Sequence, residues 1–265
     1  MTQRIDSHRL LWTSLPLALL FGGTAFADDP IVEKLAHGEV NWTDKTVLAT
    51  GSGAPDLKLP NVAAIRIAAE RSAELQAQRN ILETLRGVRV TGDSSAGDKV
   101  STQSSGLLRG CKRVDTRYFS DYSVDIVMKC PLDGVLTAAL APQPDFKGPE
   151  PVGEKSISGL IVDATGVTFK PGLTPRLLDA SGAEVYSQTM VKPGFLQKHG
   201  SVAYATSVDS AKKNERVGAT PLVVVAEGVA GNELKISAAD AAKLKAANPT
   251  FLLEGRVIFA TTKAP

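Results

Sequence analysis

The chain has two cysteines, and their spacing predicts chemistry more directly than any other residue pair. Cys111 and Cys130 lie on either side of Ser120-Asp121, a turn signal between two runs with the alternation of β-strands. Pairing residues symmetrically about that turn places the two thiols opposite each other, so the pattern predicts a disulfide. A two-residue turn would give a hydrogen-bonded pair. A four-residue loop over 119–122 would give the closer non-hydrogen-bonded pair, and we expect this longer loop.

Residue types that serve metal binding or acid–base catalysis are sparse. His37 and His199 have no acidic or cysteine neighbours at ligand spacing, so we expect them on the surface and predict no metal site. Asp163 and Asp179 end predicted strands and could act as an acid–base pair, but their glycine and serine neighbours favour turns. No Gly-x-Ser-x-Gly elbow is present. We therefore predict no catalytic residues, no cofactor and no enzymatic activity.

The charge balance argues against a nucleic-acid partner. Thirty Lys and Arg residues face 28 Asp and Glu residues, a net charge of +2, and only 5% of the residues are aromatic. Such a chain has neither the basic field nor the stacking platforms that nucleic acids require. Its 265 residues, 43% of them hydrophobic, suffice for two modest cores.

The first 27 residues have the features of a secretory signal. Arg4 and Arg9 precede an apolar run at 15–21, and small residues follow at Ala25-Phe26-Ala27. The run is shorter than the ~20 apolar residues of a membrane span. We predict cleavage after Ala27, a periplasmic or secreted protein, and no transmembrane span in the mature chain.

A long amphipathic helix organises the first half. Asn61 is expected to cap its start and Gly87 to close it in the left-handed conformation. The helical period predicts one buried face, at positions 64, 67, 68, 71, 75, 78, 82 and 85. The opposite face, predicted to lie in water, carries Arg66, Glu70, Asn80 and Thr84.

The remaining patterns predict an α+β fold of two small domains. In the first, at 28–140, the helix packs on an antiparallel sheet with strands at 42–50 and 87–90 and a hairpin at 107–132. Gly51-Ser52-Gly53 is a predicted bend, and 91–106 a mobile polar loop. A proline-rich linker at 141–154 leads to a strand-rich second domain at 155–265 with one covering helix. Its predicted elements are strands at 157–163, 201–208, 221–226 and 251–260, a hairpin at 176–186, and a helix at 238–246 capped by Ser237.

The run from Gln78 to Val90, with Val40-Asn41-Trp42 and residues 49–53 upstream, resembles the LPP20-like lipoprotein family. That family includes FlgP-type proteins of the flagellar basal disk, and the resemblance covers residues 38–140. The second half resembles the region that follows this domain in some larger bacterial relatives. Those lipoproteins carry a cysteine at the cleavage site and this chain has none there, so the resemblance does not imply lipid anchoring.

These features predict a non-catalytic structural or assembly protein of the bacterial envelope, flagellum-associated and near the outer membrane. It would associate with itself or with envelope proteins through Arg66, Glu70 and Asn80 or through the 91–106 loop. The alternative is a secreted binding module for a glycan or peptide. A hydrolase is a third class, for which no residues are nominated. Oligomeric state discriminates between the first two.

Overall fold

The computed structural model describes residues 29–90, 95–97, 100, 108, 110–132, 145–152, 155–231 and 233–262. The predicted signal segment, most of the predicted 91–106 loop and residues 133–144 lie outside the described residues. The structure confirms the predicted α+β class, with one long helix on an antiparallel sheet and a second, strand-rich region. We call residues 29–132 the first lobe and 155–262 the second lobe.

The first lobe is a five-stranded antiparallel sheet covered by one long helix. Its sheet order is β1-β2-β3-β5-β4, and the helix α1 packs on β3 and β5. The elements are β1 (Val32–Leu35), β2 (Gly38–Asn41), β3 (Thr46–Gly53), α1 (Val62–Arg86), β4 (Lys112–Tyr118) and β5 (Val124–Pro131).

The start of α1 is as predicted and its end is not. The Asn61 side chain accepts a hydrogen bond from the Ala64 amide at 2.9 Å, so it is the N-cap. Gly87, expected in the left-handed conformation, has φ −78° and ψ −10°. Its amide donates to the carbonyl of Thr84, which continues the right-handed turn.

The predicted buried face of α1 is correct at Leu85 and wrong at most of its other positions, of which Ala64, Ala68, Gln78 and Leu82 are half-buried. Three of its positions, Ile67, Arg71 and Leu75, are exposed, and Thr84, predicted to face water, is buried. Apart from Thr84, the buried face consists of Ile65, Ala69, Ala73, Ala77, Ile81 and Leu85. Three alanines spaced four apart, flanked by Ile65, Ile81 and Leu85, therefore meet the sheet.

Two glycines of β3 explain this orientation. A Cβ built on Gly51 would lie 2.8 Å from Ala77 Cα, and one on Gly53 would lie 2.8 Å from the carbonyl carbon of Ala69 and nearer still to its oxygen. Real Cβ atoms do not approach other atoms so closely. The run predicted to be a bend is thus the end of β3, where helix and strand backbones touch.

The second lobe is a seven-stranded sheet in the order β8-β7-β11-β10-β6-β12-β9, with parallel pairing at its centre. Its strands are β6 (Gly159–Asp163), β7 (Leu177–Leu178), β8 (Glu184–Tyr186), β9 (Ala203–Ala205), β10 (Pro221–Ala230), β11 (Glu233–Ile236) and β12 (Val257–Ala260). Its helices are α2 (Pro193–His199), α3 (Val208–Lys213), α4 (Ala238–Ala246) and α5 (Thr250–Leu253).

The predicted helix 238–246 is confirmed as α4, and Ser237 caps it by accepting from the Asp240 amide at 3.0 Å. The predicted strand 251–260 is half wrong, because its first residues form α5. There the Asn248 side chain accepts from the amide of Thr250 at 3.0 Å and starts a helical turn. The three apolar residues at 251–253 are too short a run to show a period that separates a buried helix from a buried strand.

Residues 87–106 also depart from the prediction. In place of a strand at 87–90, the described residues show one isolated bridge, from Arg89 to Ser95. Within the predicted polar loop, Ala96 and Val100 are buried in the core. This part of the loop is therefore packed against the first lobe.

Each half contributes to one continuous cluster of buried apolar side chains. At the junction, the amides of Leu173 and Thr174 donate to the carbonyls of Arg89 and Val90, at 2.9 and 3.0 Å. These bonds join the second lobe to the chain that leaves α1. The division into two domains at 141–154 stays a prediction.

Candidate functional site: a cationic cleft between the lobes

The disulfide predicted from sequence is present, but the hairpin that forms it is not the expected one. The Cys111–Cys130 bond spans a Cα–Cα distance of 4.1 Å, that of a close, non-hydrogen-bonded pair. The hairpin turn has neither two nor four loop residues. It has three, and the last of them, Tyr122, is left-handed with φ 69°.

A β-bulge compensates for the odd loop. Near the turn Tyr118 pairs with Val124 and Asp115 with Val127, a register that would leave Cys111 one residue out of phase with Cys130. Val114 has no partner across the pair, so the register shifts by one and Arg113 faces Met128. The two cysteines then meet.

The three predicted partner-contact residues of α1 are engaged within the chain. The Arg66 guanidinium lies 5.9 Å from the ring centre of Tyr118, and the Tyr118 hydroxyl donates to Glu70 at 2.9 Å. The Asn80 amide donates to the Thr50 carbonyl at 2.7 Å. Arg66, Glu70 and Asn80 thus hold α1 against its sheet, and their contact with a partner stays a prediction.

Both predicted turn-forming carboxylates do shape turns. Asp163 accepts from the amide and hydroxyl of Thr165, and Asp179 accepts from two amides and the Ser181 hydroxyl. The Ser181 hydroxyl, followed by the backbone amides, lowers the pKa of Asp179 to about 2. His37 and His199 are exposed, as predicted.

A cleft of about 330 Å³ lies between the lobes and combines cations with an apolar wall. From the first lobe it receives the turn between β2 and β3 and the end of β5. From the second it receives the segment after α2 and the turn before β10. The lining residues are Trp42, Asp44, Lys45, Thr46, Pro131, Leu132, Gly172, Leu173, Lys198, His199, Gly200, Val202, Tyr204 and Arg216.

Lys45 is the first cation of the cleft. It occupies the left-handed conformation, φ 52°, in a turn that Asn41 and Asp44 close through reciprocal hydrogen bonds at 2.9 Å. From there its Nζ crosses to the second lobe and donates to the His199 carbonyl at 2.6 Å. Burial, and then the nearby Arg216 guanidinium, lower the pKa of Lys45 to about 7.

Arg216 is the second cation and organises the opposite wall. Its Nε donates to the Gly255 carbonyl at 2.7 Å, and its Nη1 and Nη2 donate to the carbonyls of His199, Gly200 and Ser201 at 2.7 to 3.1 Å. One guanidinium thereby fixes the backbone between α2 and β9. Gly200 and Gly255 lie in the left-handed region, which bends these carbonyls toward the arginine.

Aromatic and aliphatic side chains form the rest of the wall. Trp42 and Tyr204 meet edge to face with ring centres 5.7 Å apart, and both are buried. The Tyr204 hydroxyl donates to the Gly172 carbonyl at 2.7 Å, and burial raises its pKa, so the ring stays neutral. Trp42 donates its indole N–H to Glu33.

An ion pair within the first lobe lies next to this wall, and its arginine also reaches the second lobe. Arg89 binds both carboxylate oxygens of Glu33 at 2.7 and 2.8 Å, and its Nε donates to the Pro171 carbonyl at 3.1 Å. A single nitrogen, Nη2, contacts both oxygens, and the pair is largely buried. The cleft is thus a preformed feature of the interface.

A second depression, of about 700 Å³, lies beside α4. Its lining balances Lys147 and Lys245 with Glu150 and Glu184. No comparable neutralisation exists in the cleft between the lobes. Chemically, the cleft is suited to hold a negatively charged group, and sequence reasoning did not find it. Lys45 and Arg216 are 171 positions apart, and no local motif connects them.

Comparison with known protein families gives a match in the second lobe. Residues 159–263 match a family model described as Treponema pallidum Tp0624, second domain. The match begins at β6 and so takes in the sheet and the α2–β9 segment that Arg216 binds. No curated protein matches the chain.

Proposed function

We propose that this chain is a non-catalytic assembly protein of the bacterial cell envelope, and that copies of it pack side by side through the outer face of α1. The observation that carries the proposal is the exposure of Ile67 and Leu75. These two large aliphatic side chains lie two turns apart on one face of the helix and are 51% and 58% exposed. Arg71, also exposed, lies between them.

Such a stripe on a rigid helix has the character of a protein contact surface. The stripe lies on a helix of 25 residues, and the opposite face of this helix packs against the sheet of the first lobe. A second copy could lay the same stripe against it, which would remove both aliphatic groups from water in each partner. Exposed apolar groups grouped on one element, rather than scattered, mark interaction sites.

The edge strand β4 is a poorer candidate for the same role. It pairs with β5 on one side, and nearly all its side chains are exposed. However, it carries Lys112, Arg113, Asp115 and Arg117 together with the bulge at Val114. Charges and bulges are the devices that prevent edge strands from pairing with another chain.

Four further features support an envelope location. The predicted signal precedes the described residues, and the chain has a disulfide, which is typical of oxidising compartments. The second lobe matches a domain family named after a Treponema protein. The resemblance of residues 38–140 to LPP20-like and FlgP-type proteins supports an association with a flagellar or similar structure near the outer membrane. In the described part of the chain, no helix is long and apolar enough to cross a bilayer.

The test of location and role is cellular. Deletion of the gene should impair motility or envelope integrity, and the protein should fractionate with the envelope as part of a larger particle. Expression of the wild-type chain should restore the phenotype, whereas a variant with Ile67→Glu and Leu75→Glu should not. A deletion strain with normal motility and envelope, and a protein free in the cytoplasm, would contradict the proposal.

The second candidate, a secreted binding module, is favoured by one observation, the cleft between the lobes. The cations of the cleft favour an acidic ligand.

A further inference from the structure

The cleft contains two cations that no carboxylate in the described part of the chain neutralises. Lys45 Nζ and Arg216 Nη1 donate to the same carbonyl oxygen, that of His199, at 2.6 and 2.7 Å. Two positive groups on one acceptor lie close together. Partly buried charges are normally paired with a charge of opposite sign, and these two cations have no such partner in the described part of the chain.

The neighbouring charges do not supply this partner. Lys198 and His199 line the same cleft and add to its positive character when protonated. Asp44 is the acidic residue of the lining, but its carboxylate accepts from the Asn41 amide at 2.9 Å and is exposed at the rim. The lining of the cleft therefore has three lysine or arginine side chains, Lys45, Lys198 and Arg216, and one carboxylate, Asp44.

Unused hydrogen-bond donors remain on both cations. An ammonium group has three N–H donors and Lys45 uses one of them within the chain. A guanidinium has five, and Arg216 makes four bonds. Two donors of Lys45 and one of Arg216 are therefore left, which suits the two oxygens of a carboxylate.

The wall beyond the cations is apolar. Leu132, Leu173 and Val202 are buried and line the cleft together with Pro131. A volume of about 330 Å³ corresponds to about eleven water molecules at about 30 Å³ each. That space holds a short hydrocarbon body but not a large cofactor.

We propose that the cleft between the lobes binds a small organic carboxylate, with its head on Lys45 and Arg216 and a short apolar body against Leu132, Leu173 and Val202. A dianion such as phosphate fits less well, because it would bring a second negative charge toward Asp44 and has no apolar part for the wall. The proposal concerns this cleft alone and does not depend on assembly through α1.

Trp42 gives a direct readout, because it lines the cleft. The other tryptophan, Trp12, lies in the predicted signal, and a Trp12→Phe background leaves Trp42 as the single tryptophan in either form of the chain. Titration of the exported protein with hexanoate should give a saturable change in Trp42 fluorescence, with calorimetry as a second measure. Hexanol, which lacks the charge, acetate, which lacks the body, and inorganic phosphate should each bind at least about tenfold more weakly, a difference of about 1.4 kcal/mol.

Charge removal at one position tests the assignment. Lys45→Met keeps the length of the side chain and should weaken hexanoate binding at least tenfold. Lys213→Met is the matched control, because Lys213 is exposed and does not line the cleft. It should bind as the wild type does. Circular dichroism and thermal unfolding establish that both variants are folded.

A pH titration of the wild-type protein tests the same assignment even if Lys45→Met fails to fold. Hexanoate binding should weaken as the pH rises from about 6 to about 9, because Lys45, which faces Arg216, His199, Lys198 and Asp44 and has a pKa lowered to about 7 by burial and then by Arg216, loses its proton there. Absence of saturable hexanoate binding, equal binding of hexanol, unchanged binding by folded Lys45→Met, or affinity independent of pH would each overturn the proposal.

Discussion

Gly51 and Gly53 are small residues with a large structural effect, because they let the backbone of β3 touch the backbone of α1. The contact residues on the helix are Ala69, Ala73 and Ala77. Such contact leaves no room for a methyl group, and the helix cannot yield without lifting from the sheet. These residues therefore determine which face of α1 is buried.

Replacement of Gly51 by alanine should lower the free energy of unfolding by about 2 kcal/mol or more, as overpacking does in other cores. Gly166→Ala is the control, because a Cβ there would meet no atom within 4 Å. That change should stay within about 0.5 kcal/mol of wild type. Chemical denaturation of both variants measures the difference. Equal stabilities would show that helix and strand are not in backbone contact.

Lys45 predicts a pH dependence of stability. Its pKa is about 7 in the native state, below the ordinary value of 10.5, because burial and Arg216 disfavour its charged form. Below about pH 7 the lysine is protonated in both states and its full penalty applies. As the pH rises from about 7 to about 10, the native state releases the proton before the unfolded chain does. The penalty for burying the charge then disappears, and the free energy of unfolding rises.

The free energy of unfolding of wild type, minus that of Lys45→Met, should therefore rise over this pH range. Chemical denaturation at several pH values measures it, with Lys213→Met as the control whose difference from wild type stays flat. A constant difference for Lys45→Met would show that Lys45 has its ordinary pKa.

At the scale of elements, the hairpin shows what could be predicted and what could not. The symmetry of the sequence about Ser120-Asp121 correctly paired Cys111 with Cys130, because strand alternation and turn residues are local signals. The three-residue loop shifts the strand register by one residue relative to the prediction. The bulge at Val114 shifts it back by one, so the predicted pairing of the cysteines is restored. Nothing in the local sequence specifies such a bulge.

The disulfide gives a prediction at this scale. It closes a loop of 19 residues' separation, and on the chain-entropy model it contributes about 3 kcal/mol. A variant with Cys111→Ser and Cys130→Ser should unfold at correspondingly lower denaturant concentration. Thiol titration of the denatured, unreduced wild-type protein should find no free thiol. Two free thiols would contradict the bond.

The prediction of the buried face of α1 failed for a different reason. The helical period was visible, but hydrophobicity favoured the stripe with Ile67 and Leu75 over the alanines. The glycines of β3 decide for the alanines, because close backbone approach requires small residues on both sides. That information lies in the pairing of two elements and not in either one alone.

At the scale of the whole molecule, the lobes form one cluster of buried side chains and enclose the cleft at their junction. The existence of a strand-rich second half followed from its strand signals. The cleft did not, because it depends on the docking that Arg89, Leu173 and Thr174 establish between distant segments. Long-range contacts of this kind carry no periodicity in the sequence.

The exposed stripe of α1 is the feature from which assembly is inferred, and its burial in a complex is the central claim. Ile67 and Leu75 belong to the helix face that the sequence predicted to be buried, and the structure leaves both exposed. Residues with core character that the fold leaves outside are available for a second copy. Substitution of Ile67 and Leu75 by glutamate should prevent association and leave the fold intact, since neither side chain is buried.

Light scattering of the exported protein over a range of concentrations tests this claim most directly. The chain has a mass of 27.9 kDa, and we predict a particle at least twice as heavy as one chain that dissociates when Ile67 and Leu75 are both changed to glutamate. Lys212→Gln and Lys213→Gln, at two exposed positions of the second lobe without large apolar groups, provide a control with the same net charge change of two negative units. A wild-type protein that remains a monomer at every concentration would contradict the account.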